Sequence, residues 1–152
     1  MAVLQNQQLT RASSSLTKAT GQVSNLPYWR NGNVYVTIRL MSYQIKELLL
    51  DDGDSPFAEW FGSLDAVAAA KVRVAVSRME QGNLSNVEWF RGIGEYKIDW
   101  GPGLRIYLAK DGLKIIILIG GGTKKRQQQD IDQAVALWED YKRRKASTQK
   151  GK

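Results

Sequence analysis

The chain has 152 residues and a formal net charge of +7, with 22 Lys and Arg against 15 Asp and Glu, and it contains no Cys and no His. That length suits one domain with a real core plus a tail, and the missing Cys and His exclude a disulfide framework, thiol chemistry and the usual zinc sites. The longest apolar run, KIIILIG, is strand-sized and too short to cross a bilayer, so the expectation is a soluble, cytoplasmic protein with no membrane partner.

The positive charge is unevenly spread. Residues 1–40 carry four basic and no acidic residues, 41–90 four basic and eight acidic, and 91–152 fourteen basic and seven acidic. A basic excess confined to the last third is the footprint of polyanion binding, although basic residues can equally serve only to solvate a surface.

Residues 1–40 are acid-free and rich in Gln, Asn, Ser and Thr. Their first half has no sustained period and reads as disordered, NVYVTIRL reads as an isolated strand, and the whole is expected to be an extension outside a functional domain of residues 41–152. From Met41 onward the signals are regular. SYQIKELLL reads as a strand, DDGDSP as a loop, and PFAEWFGSL as a short helix with Pro56 in its first turn. A second helix follows, with Ser63 as its cap, an apolar stripe of Ala68, Val72, Ala75, Val76 and Met79, and Gly82 as its stop. NLSNVEW reads as a loop before three strands at about 94–100, 104–110 and 114–120. The third contains KIIILIG, whose lack of alternation suits a central strand buried on both faces. GGGTKK is expected to break the sheet, and QQQDIDQAVALWEDYKRRK to form a last helix with Ile131, Ala134, Val135, Trp138 and Tyr141 inward. The predicted class is α+β: a small antiparallel-rich sheet, in the order strand-helix-helix-strand-strand-strand-helix, with the helices packed on one side.

The stretch EYKIDWGPGLRIY alternates on both sides of a Gly-Pro-Gly turn. Tyr96, Ile98, Trp100, Leu104, Ile106 and Leu108 fit one face of a hairpin, leaving Glu95, Lys97, Asp99, Arg105 and Tyr107 on the other. If the helices cover the first face, the open face presents Lys97, Asp99, Arg105 and Tyr107, with Lys124, Lys125 and Arg126 just past the third strand. Arg91 adds to the basic surface. This set suits a phosphodiester backbone: Arg grips phosphate bidentately, Lys adds point charge and Tyr stacks on a base. It would also suit cutting RNA, where the 2′-OH is deprotonated, the pentacoordinate phosphate stabilised and the 5′-oxygen protonated. Lys97, its pKa lowered by Arg105 across the strands, is then a candidate base, Asp99 a second, and Arg105 the holder of transition-state charge. The acidic residues are scattered, so neither a metal ion nor another cofactor is expected. GPG and GGGTKK lack the spacing of a nucleotide-phosphate loop and read as turns. Trp60, Trp89, Trp100 and Trp138 read as packing, and the KRRK cluster at 142–145 as a solvated helix end.

From Met41 to about Lys145 the chain resembles the RelE/ParE toxin superfamily, specifically the HigB-like addiction module killer branch. The resemblance is carried by FAEWFGSLD, EYKIDWGPGLRIYL and LIGGGTKKRQQQDI. It implies a RelE-like fold and the toxin of a type II toxin-antitoxin pair. Such a toxin is a metal-independent endoribonuclease that cuts mRNA in the ribosomal A site, and a helix-turn-helix, HigA-like antitoxin neutralises it and alone brings it to operator DNA. Carried over by position, Lys97 matches a basic residue implicated in proton transfer or phosphate contact, Arg105 the phosphate-stabilising arginine and Lys124 the lysine of the G-G-x-K motif, while Lys125 and Arg126 fall in the same basic region. Asp99 stands where better-known members have a second lysine. Asp130 and Ile131 stand where they have a stacking tyrosine, for which Tyr107 is the substitute on this chain. The competing readings are a ParE-like inhibitor of DNA gyrase on the same fold and an RNA-binding domain without activity.

Overall fold

The computed structural model describes residues 27–30, 34–37 and 42–151, and the chain divides into two units, Met1–Leu40 and Met41–Lys152. In the first unit, β1 (Pro27–Arg30) pairs antiparallel with β2 (Val34–Thr37), with Tyr28 opposite Val36. The strand expected in NVYVTIRL is therefore one arm of a hairpin, not isolated; the disorder expected for the first half of residues 1–40 falls outside the described residues.

The second unit opens with β3 (Gln44–Glu47) and two helices, α1 (Pro56–Gly62) and α2 (Ala66–Glu80). Ser55 caps α1, its Oγ accepting from the Ala58 amide at 3.0 Å, and Pro56 occupies the first turn, where no amide is needed. The cap of α2 is Asp65, which accepts from the Ala68 amide at 2.8 Å. Ser63 instead closes α1, donating from its amide and hydroxyl to the Trp60 carbonyl. Two capping side chains lie two residues apart here, and only the helix ends decide which serves which. The expected stripe on α2 holds: Ala68, Val72, Ala75 and Met79 are buried and Val76 packs beside them.

The sheet has five strands, not four. β4 (Val87–Phe90) pairs antiparallel with β5 (Ile93–Ile98) where the sequence reads as loop, because Arg91 and Gly92 both take positive φ (50° and 80°) and make a tight reversal. β6 (Leu104–Asp111) and β7 (Ile115–Thr123) follow, and the order β3-β7-β6-β5-β4 is antiparallel throughout except for the parallel β3/β7 pair. β7 does not stop at its glycines: Gly120, Gly121 and Gly122 pair with Tyr107, Ile106 and Arg105 beyond a bulge at Tyr107/Leu108. Gly121 and Gly122 are glycines because of what covers them. A Cβ on Gly121 would stand 2.1 Å from the Trp60 ring, and one on Gly122 2.0 Å from the Asp130 carboxylate.

A short 3-10 turn, Lys124–Arg126, leads into α3 (Gln127–Lys150), which is longer than expected. It also corrects the layering. Tyr96, Leu104, Ile106, Leu108, Ile116 and Leu118 pack against α1 and α2. On the opposite face, Ile93, Tyr107, Ala109, Ile117 and Ile119 pack against Ile131, Ala134 and Trp138 of α3. The helices thus cover both faces, and the open face expected for the hairpin is partly roofed. KIIILIG carries the reason: a strand apolar on both sides must be covered on both sides. Trp89 departs from the expected packing role, lying 42% exposed on β4 with Lys110 Nζ 4.9 Å from its ring centre.

The KRRK segment docks the far end of α3. Arg144 pairs with Asp51 and Asp140, Lys145 with Asp111 at 2.6 Å, Lys142 with Glu139 and Arg143 with Asp140. Among the described residues no helix is long and apolar enough to cross a membrane.

Candidate functional site

Antiparallel register places Lys97 opposite Arg105 and Glu95 opposite Tyr107. Beside them, Leu104 pairs with Thr123, and the Lys124 amide donates to the Gly103 carbonyl at 2.8 Å. Gly103 (φ 74°) lets β6 leave its turn against that segment: a Cβ there would stand 3.3 Å from Lys124 Cβ and 3.6 Å from Arg105 Nη1. Lys97, Arg105 and Lys124, distant in sequence, therefore meet at one corner of the sheet. Lys125 and Arg126 are exposed on the adjoining turn.

The corner is less open than a bare cationic face. Glu95, 1% exposed, lies at its centre. Its Oε1 accepts from Gln127 Nε2 at 2.8 Å and lies 3.7 Å from Arg105 Nε, while Oε2 is 3.8 Å from Lys97 Nζ. Arg105 is 6% exposed; its Nη1 donates to the Leu104 carbonyl at 3.1 Å, and its Nε lacks a hydrogen-bond partner. Lys97 pairs with Glu88 on β4. That bond, more than any other influence, raises the lysine pKa and lowers that of Glu88. The lysine is thus held as a cation, opposite to the lowering expected from Arg105 alone, because two carboxylates face it, Glu88 from β4 and Glu95 from its own strand. Asp99 is exposed just past the end of β5, lining with Glu88 and Lys97 a shallow depression of about 330 Å³.

Tyr107 is 1% exposed and packs with the α3 cluster, so its ring is not available to stack on a base in this conformation. Burial raises its hydroxyl pKa, with Glu95 adding to the effect. Arg91 sits at the opposite end of β5 from Lys97, in an ion pair with Asp132 at 2.8 Å. Among the described residues no three acidic side chains come together as a metal site would require.

Asp130, in the first turn of α3, lies over Gly122. Its Oδ2 is buried without a hydrogen-bond donor, and burial raises the carboxyl pKa, opposed by the nearby Arg126 charge. Between α1 and the start of α3 a cleft of about 320 Å³ runs along Gly120 and Gly121, and Asp130 and Arg126 line it with Trp60. Sequence reading did not find this cleft, nor Glu88 and Gln127 as members of the corner; it set Glu95 on the charged face of the hairpin but gave it no role. The acidic residues did carry a signal, since Glu95 shares the strand parity of Lys97; Gln127 carried none.

The fold and this corner define an α+β domain whose mixed five-stranded sheet sets Lys97 and Arg105 beside a buried glutamate, with Lys124 on the adjoining segment. No family profile matches the chain, and no solved structure matches it at a significant level. Among curated proteins, an uncharacterized protein of Haemophilus influenzae is 35% identical over 99 residues, spanning 64% of this chain and 94% of that protein. The chain belongs to the same family as that protein.

Proposed function

We propose that the second unit is a RelE-like toxin domain of the HigB-like branch, which inhibits translation by ribosome-dependent cleavage of mRNA. The observation that carries this reading is the convergence of Lys97, Arg105 and Lys124 at one corner of the sheet, set by the register of β5, β6 and β7. Three cations so placed can hold a phosphodiester and stabilise the charge of its transition state. The corner holds no histidine, the Lys97 pKa is raised, and Lys97 and Arg105 are engaged by Glu88 and Glu95. A free enzyme of this kind is slow, and the ribosome supplies rate by orienting the scissile phosphate. An antitoxin with an acidic or apolar binding segment would neutralise the domain by covering this corner or blocking entry to the ribosome.

The test is induced expression of the full chain in a bacterium, wild type beside Arg105→Lys and Arg105→Ala, with mRNA 5′ ends mapped. New ends inside translated frames, absent when translation is blocked and lost in Arg105→Lys, are expected. Arg105→Lys keeps a cation beside Glu95, and a thermal melt of each variant separates lost chemistry from lost folding. Growth arrest with intact mRNA and a DNA-damage response would instead assign the domain to gyrase inhibition.

A further inference from the structure

α2 is apolar on two sides, and the fold uses one of them. Ala68, Val72, Ala75 and Met79 turn toward the sheet and are buried. On the outward side Val67 and Val74 stand 55% and 50% exposed, with Ala70 exposed between them and Ser77 exposed one turn further on. These four positions follow the alternating spacing of a and d residues in a helix–helix seam, and the alanine and serine leave room for a second backbone to come close. A helix that met only water there would be polar on that side.

The rim of the seam is cationic. Lys71 and Arg78 flank it on one side and Arg73 on the other, at the e and g positions when Val67 and Val74 are a. All three are exposed, α2 carries no acidic residue before Glu80, and among the described residues none of the three is in an ion pair. Arg73 instead lies over the Phe61 ring of α1, 5.4 Å from its centre. Residues 41–90 hold four basic residues against eight acidic ones, and three of the four are these. In an acid-rich segment the cations are gathered on one helix face.

We propose that the outward face of α2 docks an acidic amphipathic helix of a partner protein, whose apolar stripe packs on Val67, Ala70 and Val74 and whose carboxylates pair with Lys71, Arg73 and Arg78. This face lies on a different element from the corner of Lys97, Arg105 and Lys124, and its docking role stands whether or not the RNA reading does. The charges select the occupant. A second copy of α2 would set cation against cation along both edges of the seam, which disfavours self-pairing. A polyanionic strand would engage the rim but leave the valines in water. A helix with Glu or Asp on either side of its own apolar stripe satisfies both rim and seam.

The experiment titrates the full chain into a dye-labelled synthetic peptide of three heptads, with Ile at a, Leu at d and Glu at e and g, and follows fluorescence anisotropy at several salt concentrations. Saturable binding that weakens as salt rises is expected. The same peptide with Lys at e and g should bind about tenfold more weakly. The double variant Lys71→Glu, Arg78→Glu should reverse that order, weakening the acidic peptide by about tenfold and gaining the basic one, as two exposed pairs exchanged for two repulsions allow. Val67→Gln with Val74→Gln should weaken the acidic peptide by about fivefold through the lost apolar contact. All four positions are exposed on the helix, so these variants should melt with wild type. Absence of binding, or equal binding of both peptides, would overturn the docking face. Acidic-peptide binding that survives both α2 variants and is lost in Lys124→Gln with Lys125→Gln would place the peptide on the cationic corner and overturn it too. Self-association of the full chain that disappears in Val67→Gln with Val74→Gln would make a second copy the occupant and remove the acidic partner.

Discussion

Lys97 and Arg105 face each other across β5 and β6, and both reach toward one carboxylate, Glu95, that is almost fully buried. Two cations set side by side would repel; the glutamate between them makes the pairing tolerable and presets both for a second anion. Glu88, on the neighbouring strand, completes the arrangement by holding the lysine from outside.

Glu88 is therefore a competitor for any phosphate that Lys97 would bind. Glu88→Gln should raise affinity for single-stranded RNA by about two- to fivefold at low salt, the range expected from releasing one exposed ion pair. The salt slope should steepen as one more cation becomes available. Because the Glu88 carboxyl is held below the usual range, the pair persists above that lowered value and is lost as pH falls through it. Wild-type affinity should accordingly approach that of Glu88→Gln on acidification, and an unchanged salt slope in the variant would show that Lys97 takes no part in binding.

Glu95→Ala leaves Arg105 buried without its counter-charge and deprives Gln127 of its acceptor. Removing one member of a buried pair costs on the order of 3 kcal/mol, which urea unfolding would register as a lower midpoint at constant slope. Arg105→Met added to Glu95→Ala should restore much of the loss. If Glu95→Ala unfolds at the wild-type midpoint, the glutamate is not a structural partner of the arginine.

At the other end of α3, Tyr141 donates to Asp111 at 2.8 Å and Lys145 bonds the same carboxylate. These bonds hold the Asp111 carboxyl below its ordinary range, while burial, helped by that carboxylate, pushes the Tyr141 hydroxyl up to about 12. The Asp111 contribution is present above the unfolded aspartate value and lost as pH falls through the lowered one. The Tyr141 contribution is complete below the unfolded tyrosine value and lost as pH rises through about 12. Asp111→Asn should destabilise by about 1–2 kcal/mol at neutral pH, and tyrosinate absorbance should then show one tyrosine moved back toward its ordinary titration range. A titration identical to wild type would remove the lock.

Gly121→Ala tests the approach of α1 to the sheet. The added methyl falls 2.1 Å from the Trp60 ring, so the indole and its helix must shift, at a cost of roughly 1–3 kcal/mol. Thermal unfolding should drop accordingly, and Gly120→Ala, where nothing lies within 4 Å of the new atom, should not match it.

Local patterns determined much of this molecule. Alternation in EYKIDWGPGLRIY sorted Tyr96, Leu104 and Ile106 from Lys97, Arg105 and Tyr107, because side chains on a strand point to opposite faces whatever lies beyond. The apolar stripe of α2, the Gly-Pro-Gly turn and the inward face of α3 were equally legible, each following from a period or a glycine with positive φ. What the tertiary structure alone decided is which face each helix covers. With α3 on the far side of the sheet, Tyr107 and Arg105 became buried residues, and Glu95, a strand residue of ordinary appearance, became the centre of the corner. The same packing set Asp130 over Gly122 and Trp60 over Gly121, across gaps that no spacing in the sequence records. Burial and long-range charge pairing depend on separations in space, and a one-dimensional pattern fixes only the neighbours along a strand or a helix turn.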